Sequence, residues 1–276
     1  MTTTAQKKPA TRFFRHPLVW MVAGVVPIVA LSSLLESGPL VALLATALSL
    51  VAYWAVMRFV AKRPMPELAR RHALRDSLTG VAIGAGFIVV SIGIITALGG
   101  YHFKFDGAAG LRALPGLVVL ALGGAITEEL IFRGLALQAI EKLAGSWVAL
   151  GVTALLFGLA HAANPGAGLW SSVAIAIEAG GLMGAAFLWR RSLWLVFALH
   201  ATWNGLEQAF GIPVSGHVDP GLAVATVHGS AALTGGEFGL EASLVPVLIS
   251  LALTAILMWA AHRNGQIRRP ARSRRI

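Results

Sequence analysis

The sequence contains no cysteine. That absence excludes disulfides, thiolate nucleophiles, cysteine zinc sites and iron–sulfur clusters, so any bound metal must be held by His, carboxylate or amide groups. Charge is scarce as well: Asp, Glu, Lys and Arg together make up 12% of 276 residues, while 57% are hydrophobic. With a mean hydropathy of +0.75, the chain is too apolar for a water-soluble domain of this size. Acids are scarcer than bases, 12 against 22, which leaves a net charge of +10. The bases lie in short loops and tails without interleaved aromatics or a nucleic-acid motif, so they mark membrane topology and no nucleic-acid partner is expected.

What the chain has instead is long apolar runs. A membrane span needs roughly 20 mostly apolar residues, and eight such stretches are expected near 18–35, 39–60, 77–99, 113–140, 147–163, 169–189, 192–210 and 243–261. The fold class expected is therefore all-α, a polytopic transmembrane helical bundle of about eight spans whose solvent is the lipid bilayer. Placing the N-terminus inside puts Lys7, Lys8, Arg12, Arg15, Arg58, Lys62, Arg63, Arg70, Arg71, Arg75, Lys142, Arg190, Arg191, Arg263, Arg268, Arg269, Arg272, Arg274 and Arg275 on the cytoplasmic side. Only Lys104 and Arg112 then fall outside, with Arg133 inside a span. The positive-inside rule accordingly predicts that both termini are cytoplasmic. A signal peptide ending near Ala30-Leu31-Ser32 is the lesser alternative for the first run, which is long and leads into no soluble domain.

Six tryptophans (Trp20, Trp147, Trp170, Trp189, Trp194 and Trp259) fall near expected span ends, as an interfacial belt requires. Gly80/Gly84 and Gly180/Gly184 have the small-xxx-small spacing of closely packed helices.

Ionisable groups at membrane depth cost about 3 kcal/mol each on insertion scales, so each needs a reason. The fourth span carries Glu128, Glu129 and Arg133, the fifth His161, the sixth Glu178, and the seventh His200 and Asn204. Glu129 and Arg133 are four apart with the acid first, the favourable order for an ion pair on one helical face. Glu128 is turned by about 100° from Glu129 and has no partner on its own helix. Orientation is thus assigned to Glu129 and Arg133, and chemistry to Glu128. Taken alone, this segment is equally well a buried salt bridge with a spare neutral carboxyl, and either histidine alone is more often a packing residue than a ligand. His200 and Asn204, four apart, put an imidazole and an amide on one face of a single helix. From the cytoplasmic helix ends, Glu128 lies ~20 Å deep, His161 ~22 Å, His200 ~12 Å and Asn204 ~18 Å, depths compatible with convergence. Glu178 is expected to be structural. Glu207 shares a face with Asn204 but lies nearer the outer end, where solvation is expected. His217 and His228 belong to a polar loop and receive no metal role.

A carboxylate, two imidazoles and an amide in a secluded cavity can activate water against an amide carbonyl. Glu128 would act as general base with help from His161, and His200 with Asn204 would stabilise the oxyanion. Alternatively, Glu128, His161 and His200 would ligate a divalent metal such as zinc. The residues leave both versions open. No H-E-x-x-H helix or G-x-S-x-G turn is present, and Asp76, Asp106 and Asp219 all lie in loops or span ends, which excludes an intramembrane aspartyl dyad.

In order and spacing, Glu128-Glu129-x-x-x-Arg133, Phe157-x-x-x-His161 and His200-x-x-x-Asn204 resemble the three signatures of the CPBP family, which groups type II CAAX prenyl endopeptidases with bacterial Abi and bacteriocin-processing or immunity-associated membrane proteins. The resemblance covers roughly residues 113–210. It implies an intramembrane endopeptidase of the CAAX protease type, usually classed with the metalloproteases, with Glu128, His161 and His200 catalytic and Asn204 assisting. A membrane-associated protein or peptide is the implied substrate and a bacterial inner membrane the implied location. The expected layout is a basic cytoplasmic N-terminus at 1–16, a transmembrane domain at 17–262 with its catalytic core at about 113–210, and a basic tail at 263–276. Two rival functions remain: a non-catalytic immunity or sensor protein of the Abi type, and a proton-coupled transporter, which the absence of an inverted repeat disfavours.

Overall fold

A computed structural model describes residues 15–270. Lys7, Lys8, Arg12, Arg272, Arg274 and Arg275, with nearly all of the expected 1–16 segment, lie outside the described residues. The helices are α1 (Pro17–Ser32), α2 (Pro39–Ala55), α3 (Ala73–Ala97), α4 (Gly107–Glu129), α5 (Gln138–Ala144), α6 (Ser146–Ala160), α7 (Leu169–Ile175), α8 (Gly184–Arg190), α9 (Leu193–Ala209) and α10 (Leu244–Arg263). A π-helical stretch, Leu130–Leu137, fuses α4 and α5 into one rod, and another, Ala176–Met183, fuses α7 and α8. Eight helical passes therefore stand where eight spans are expected.

Six of them are long and apolar enough to cross a membrane: Pro17–Ser37, Pro39–Val60, Arg70–Ala97, Gly110–Ala144, Leu169–Arg190 and Leu244–Arg263. The chain is a multi-pass membrane protein. The other two, α6 and α9, have 15 and 17 residues. At about 1.5 Å per residue they reach ~22–26 Å, less than the ~30 Å hydrocarbon thickness. Neither is long enough to cross by itself, and His161 lies at the C-terminal end of α6 while Asn204 lies in the last two turns of α9. The bundle also carries one element outside an all-helical description, an antiparallel ribbon pairing β1 (Tyr101–Phe105) with β2 (Ala223–Val227).

Close packing at the predicted glycines positions the site helices. A Cβ added at Gly84 would lie 2.7 Å from the Leu199 carbonyl oxygen, and one at Gly80 would strike the backbone of Leu195 and Leu199. Glycine at these two positions lets α3 lie directly on α9, one turn from His200. Gly180 is pressed on the Ala154 backbone and Gly184 on the Leu150 side chain, drawing the second π-helical stretch onto α6.

The two ends of the bundle differ in charge. At one end Arg63 bonds Glu67 at 2.8 Å and Gln138 at 3.0 Å, Arg190 bonds Asp76 at 2.7 Å, and Glu141 accepts from Arg191 at 2.6 Å and Arg268 at 3.2 Å. Arg58, Lys62, Arg70, Arg71 and Arg75 are exposed. Trp147, Trp170 and Trp259 are exposed as an interfacial belt requires. Trp20 departs from that expectation: it is fully buried, with the Arg63 and Lys142 cations 5.8 and 5.7 Å from its ring. Cationic partners on the protein side, rather than lipid headgroups, take up its quadrupole. At the opposite end lie the β ribbon, the 33–38 turn and the long 211–242 segment, with Lys104 and Arg112 the only Lys or Arg there among the described residues.

Candidate active site

Glu129 and Arg133 pair as their spacing predicts. Arg133 Nη1 donates to Glu129 Oε1 at 2.7 Å, and both side chains are excluded from solvent. The π-helical stretch carrying Arg133 also turns its other amine toward the second π-helical stretch, where Nη2 donates to the Ala179 carbonyl at 2.6 Å and the Gly180 carbonyl at 3.3 Å. Widened turns of this kind free backbone carbonyls from their usual ladder and recur at functional sites. The guanidinium further lies 5.0 Å from the Phe157 ring.

Glu129 has a second partner that helical spacing could not reveal. Its Oε1 also lies 2.9 Å from His200 Nδ1, joining residues 71 positions apart on two helices. An anionic Glu129 can only accept, so Nδ1 carries the proton and His200 Nε2 presents its lone pair elsewhere. The same argument fixes His161, the residue that ends α6: its Nδ1 donates to the Phe157 carbonyl at 2.8 Å, which leaves Nε2 as the acceptor. Phe157 stacks on His161 with ring centroids 4.6 Å apart and holds both imidazoles from one side, the His200 ring lying 6.3 Å away.

The two free Nε2 atoms meet at Glu128. Oε2 of Glu128 lies 4.0 Å from His161 Nε2 and 3.9 Å from His200 Nε2, and it is buried with no hydrogen-bond partner among the described residues. Three acceptors therefore face one another across a gap too wide for direct bonding and wide enough to hold a donor between them. A water molecule, with two protons and hydrogen bonds of about 2.8 Å, suits that gap. Asn204 lies one turn beyond His200 on α9, and its Oδ1 is likewise buried without a partner among the described residues.

These residues line a cavity of about 820 Å³, large enough for a peptide segment of a few residues. Its outer rim comes from segments where no role was expected. Glu241, buried beside the cavity, accepts from both the backbone N–H and the hydroxyl of Ser215 at 2.7 Å, and Asn164 donates to the Ser215 carbonyl at 3.0 Å. Burial raises the Glu241 carboxyl above its ordinary range, while the Ser215 donors and the nearby His161 and His200 pull it partly back. His217 also lines the rim. No periodic signal marks this loop, since its contacts depend on chain reversal.

The donor set of Glu128, His161 and His200 is chemically suited to zinc, but its spacing is not. Tetrahedral zinc with bonds of about 2.0–2.1 Å holds its ligands ~3.3 Å apart, shorter than the 4.0 and 3.9 Å from Glu128 Oε2 to the two Nε2 atoms. Among the described residues no three His, Asp or Glu side chains are arranged to share a metal ion.

Two carboxylates differ from or refine the sequence expectations. Glu207, expected to be solvated, is fully buried, with the Trp203 indole as its neighbouring donor. The cause is the 211–242 segment, which folds back over the end of α9: Ile212 N–H bonds the Glu207 carbonyl, and Gly221 sits on the Gln208 backbone. Glu178 is also buried and without a hydrogen-bond partner among the described residues; it lies outside the cavity wall and does not pair with Arg133.

Residues 110–206 match the family model described as type II CAAX prenyl endopeptidase Rce1-like. This segment is similar to the Rce1-like family. The match begins in α4 and ends in α9, so Glu128, Glu129, Arg133, His161, His200 and Asn204 all fall inside it. This likeness supports an intramembrane endopeptidase of the CAAX protease type in general terms. No curated protein and no solved structure matches the chain.

Proposed function

We propose that this Rce1-like protein hydrolyses peptide bonds of membrane-associated proteins or peptides in a bacterial cell membrane, using water activated by Glu128. The convergence of Glu128 Oε2 with the bare Nε2 atoms of His161 and His200 at 3.9–4.0 Å carries this reading. Water held there gives a proton to Glu128 while its oxygen attacks the scissile carbonyl carbon. His161, fixed in one tautomer by Phe157, accepts a hydrogen bond from the water's other O–H and aims the lone pair. The carbonyl becomes an oxyanion, stabilised by the Asn204 amide and by His200 once its Nε2 takes up the water proton from Glu128, with Glu129 balancing the imidazolium so formed. Collapse breaks the C–N bond, and that proton passes to the departing amine. The products are a carboxylate and an amine, and no co-reactant other than water is consumed.

The geometry favours this version over a metal-ligand set because the gap suits a hydrogen-bonded water. The family description does not fix the substrate, and the cavity lined by Glu128, His161 and His200 has room for an unmodified peptide.

The test is cleavage of a library of membrane-anchored peptides by the purified protein and by Glu128→Gln. Loss of a positioned general base costs about 10²–10⁴-fold, so the variant is expected to fall by that factor while its fold is retained. Equal cleavage by both proteins would remove Glu128 from the reaction. Uptake of protons coupled to a solute, abolished in the same variant without any proteolysis, would favour the transporter reading.

A further inference from the structure

Which side of the membrane feeds the cavity follows from two independent features. The first is the shape of its wall. Apart from residues midway along their helices, the lining comes from the end of the bundle away from the basic loops: Ser33 and Glu36 after α1, His161 and Asn164 after α6, and the 214–219 and 241 segments. No residue of the 61–72 loop, of the 142–147 or 190–192 connections, or of the tail after α10 contributes. The second is charge. The wall includes Glu36, Glu128, Asp219 and Glu241 but neither Lys nor Arg, whereas Arg58, Lys62, Arg63, Arg70, Arg71, Arg75, Lys142, Arg190, Arg191, Arg263, Arg268 and Arg269 gather at the opposite end. Bases concentrated in short loops remain cytoplasmic.

We infer that the cavity opens to the extracytoplasmic side, so that the substrate is a segment of a membrane-associated protein or peptide exposed on the outer face of the membrane. This deepens the peptidase reading and rests on it for the word substrate; the sidedness itself does not. At the cytoplasmic end Arg63, Arg190 and Arg191 are held by Glu67, Asp76 and Glu141, each of them buried. None of these residues lines the cavity that holds Glu128. A cytoplasmic tail would have to pass the Arg63–Gln138 and Arg191–Glu141 contacts to reach it. An outer segment meets only the rim formed by Asn164, Ser215 and Glu241.

The absence of cysteine in the chain makes the test direct, because any introduced thiol is the only one. Full-length Val218→Cys and His228→Cys place it on exposed residues of the outer end, and Arg71→Cys on an exposed residue of the basic end. Intact cells producing each variant are treated with a membrane-impermeant maleimide, before and after permeabilisation. Val218→Cys and His228→Cys are expected to be labelled in intact cells to at least tenfold the extent of Arg71→Cys, which is labelled fully only after permeabilisation. The reverse pattern, or equal labelling of both ends in intact cells, overturns the proposal. As a second arm, a soluble peptide that the detergent-solubilised protein cleaves is added to sealed vesicles. Cleavage is expected in right-side-out vesicles and not in inside-out ones, and the opposite result also overturns it. Labelling needs no activity, and cleavage in detergent has no sidedness, so failure of the orientation and failure of the peptidase reading are read from different measurements.

Discussion

Replacing Glu129 by Leu and Arg133 by Met, singly and together, separates charge balance from catalytic positioning. The two side chains are buried and 2.7 Å apart. Removing one strands the other as an uncompensated buried charge, which costs about 3–5 kcal/mol. Removing both abolishes that penalty. The double variant still forfeits the Arg133 bonds to the Ala179 and Gly180 carbonyls, worth about 1 kcal/mol each. Relative to Glu129→Leu, which keeps the Arg133 bonds, stability is therefore expected to recover by about 1–3 kcal/mol, and relative to Arg133→Met by the whole penalty of about 3–5 kcal/mol. Activity is expected to behave otherwise, because Glu129 Oε1 is also the acceptor for His200 Nδ1 at 2.9 Å. With that acceptor gone, His200 loses its fixed tautomer and the counter-charge for its imidazolium. Both Glu129→Leu and the double variant should lose about 10²–10⁴-fold in kcat/KM, the range for a misplaced acid–base group, and their kcat/KM profiles against pH should shift. The measurements are thermal unfolding in detergent and peptide cleavage across pH on the same preparations. A double variant that regains activity together with stability would refute the positioning role. Single variants as stable as the double would refute the buried pair.

Asn204→Ala should lower kcat about 10²–10³-fold, the usual cost of one oxyanion donor, with the melting temperature nearly unchanged because the Asn204 Oδ1 has no partner to lose among the described residues; steady-state kinetics with one peptide checks this. Gly84→Leu should cost about 1–3 kcal/mol by overpacking, since a Cβ there already lies 2.7 Å from the Leu199 carbonyl oxygen; thermal unfolding measures it, and cleavage should fall in parallel as α9 shifts His200. Exhaustive chelation should leave cleavage intact if water in the 3.9–4.0 Å gap is the nucleophile; loss on chelation with recovery on adding zinc would instead establish the metal version.

What could be read from sequence divides according to the range of the interaction. Apolar runs and the Glu129–Arg133 pair at i,i+4 are local, and both were legible. The glycine pairs were legible too, because close approach of two helices leaves few residue types possible at the contact. The His200–Glu129 bond was not, since it joins α9 to α4 across 71 residues and each residue has a sufficient explanation on its own helix. The π-helical stretches at Leu130–Leu137 and Ala176–Met183 escaped because an extra residue per turn leaves no compositional mark. The β ribbon pairs Tyr101–Phe105 with Ala223–Val227, segments that each read as loop when the other is out of view.

Glu207 shows the cost of arguing from depth alone. A residue near the outer end of a span is expected to meet water only if nothing folds over it, and here the 211–242 segment does. That same reversal brings Ser215 and Glu241 to the rim of the cavity. One polar segment therefore both buries Glu207 and shapes the entrance above Glu128. Because α6 and α9 are the two short passes, the chain beyond their ends is free to fold back as polar loop. Asn164, Ser215 and Glu241 line the cavity from that loop side, next to the acceptors that face one another around Glu128.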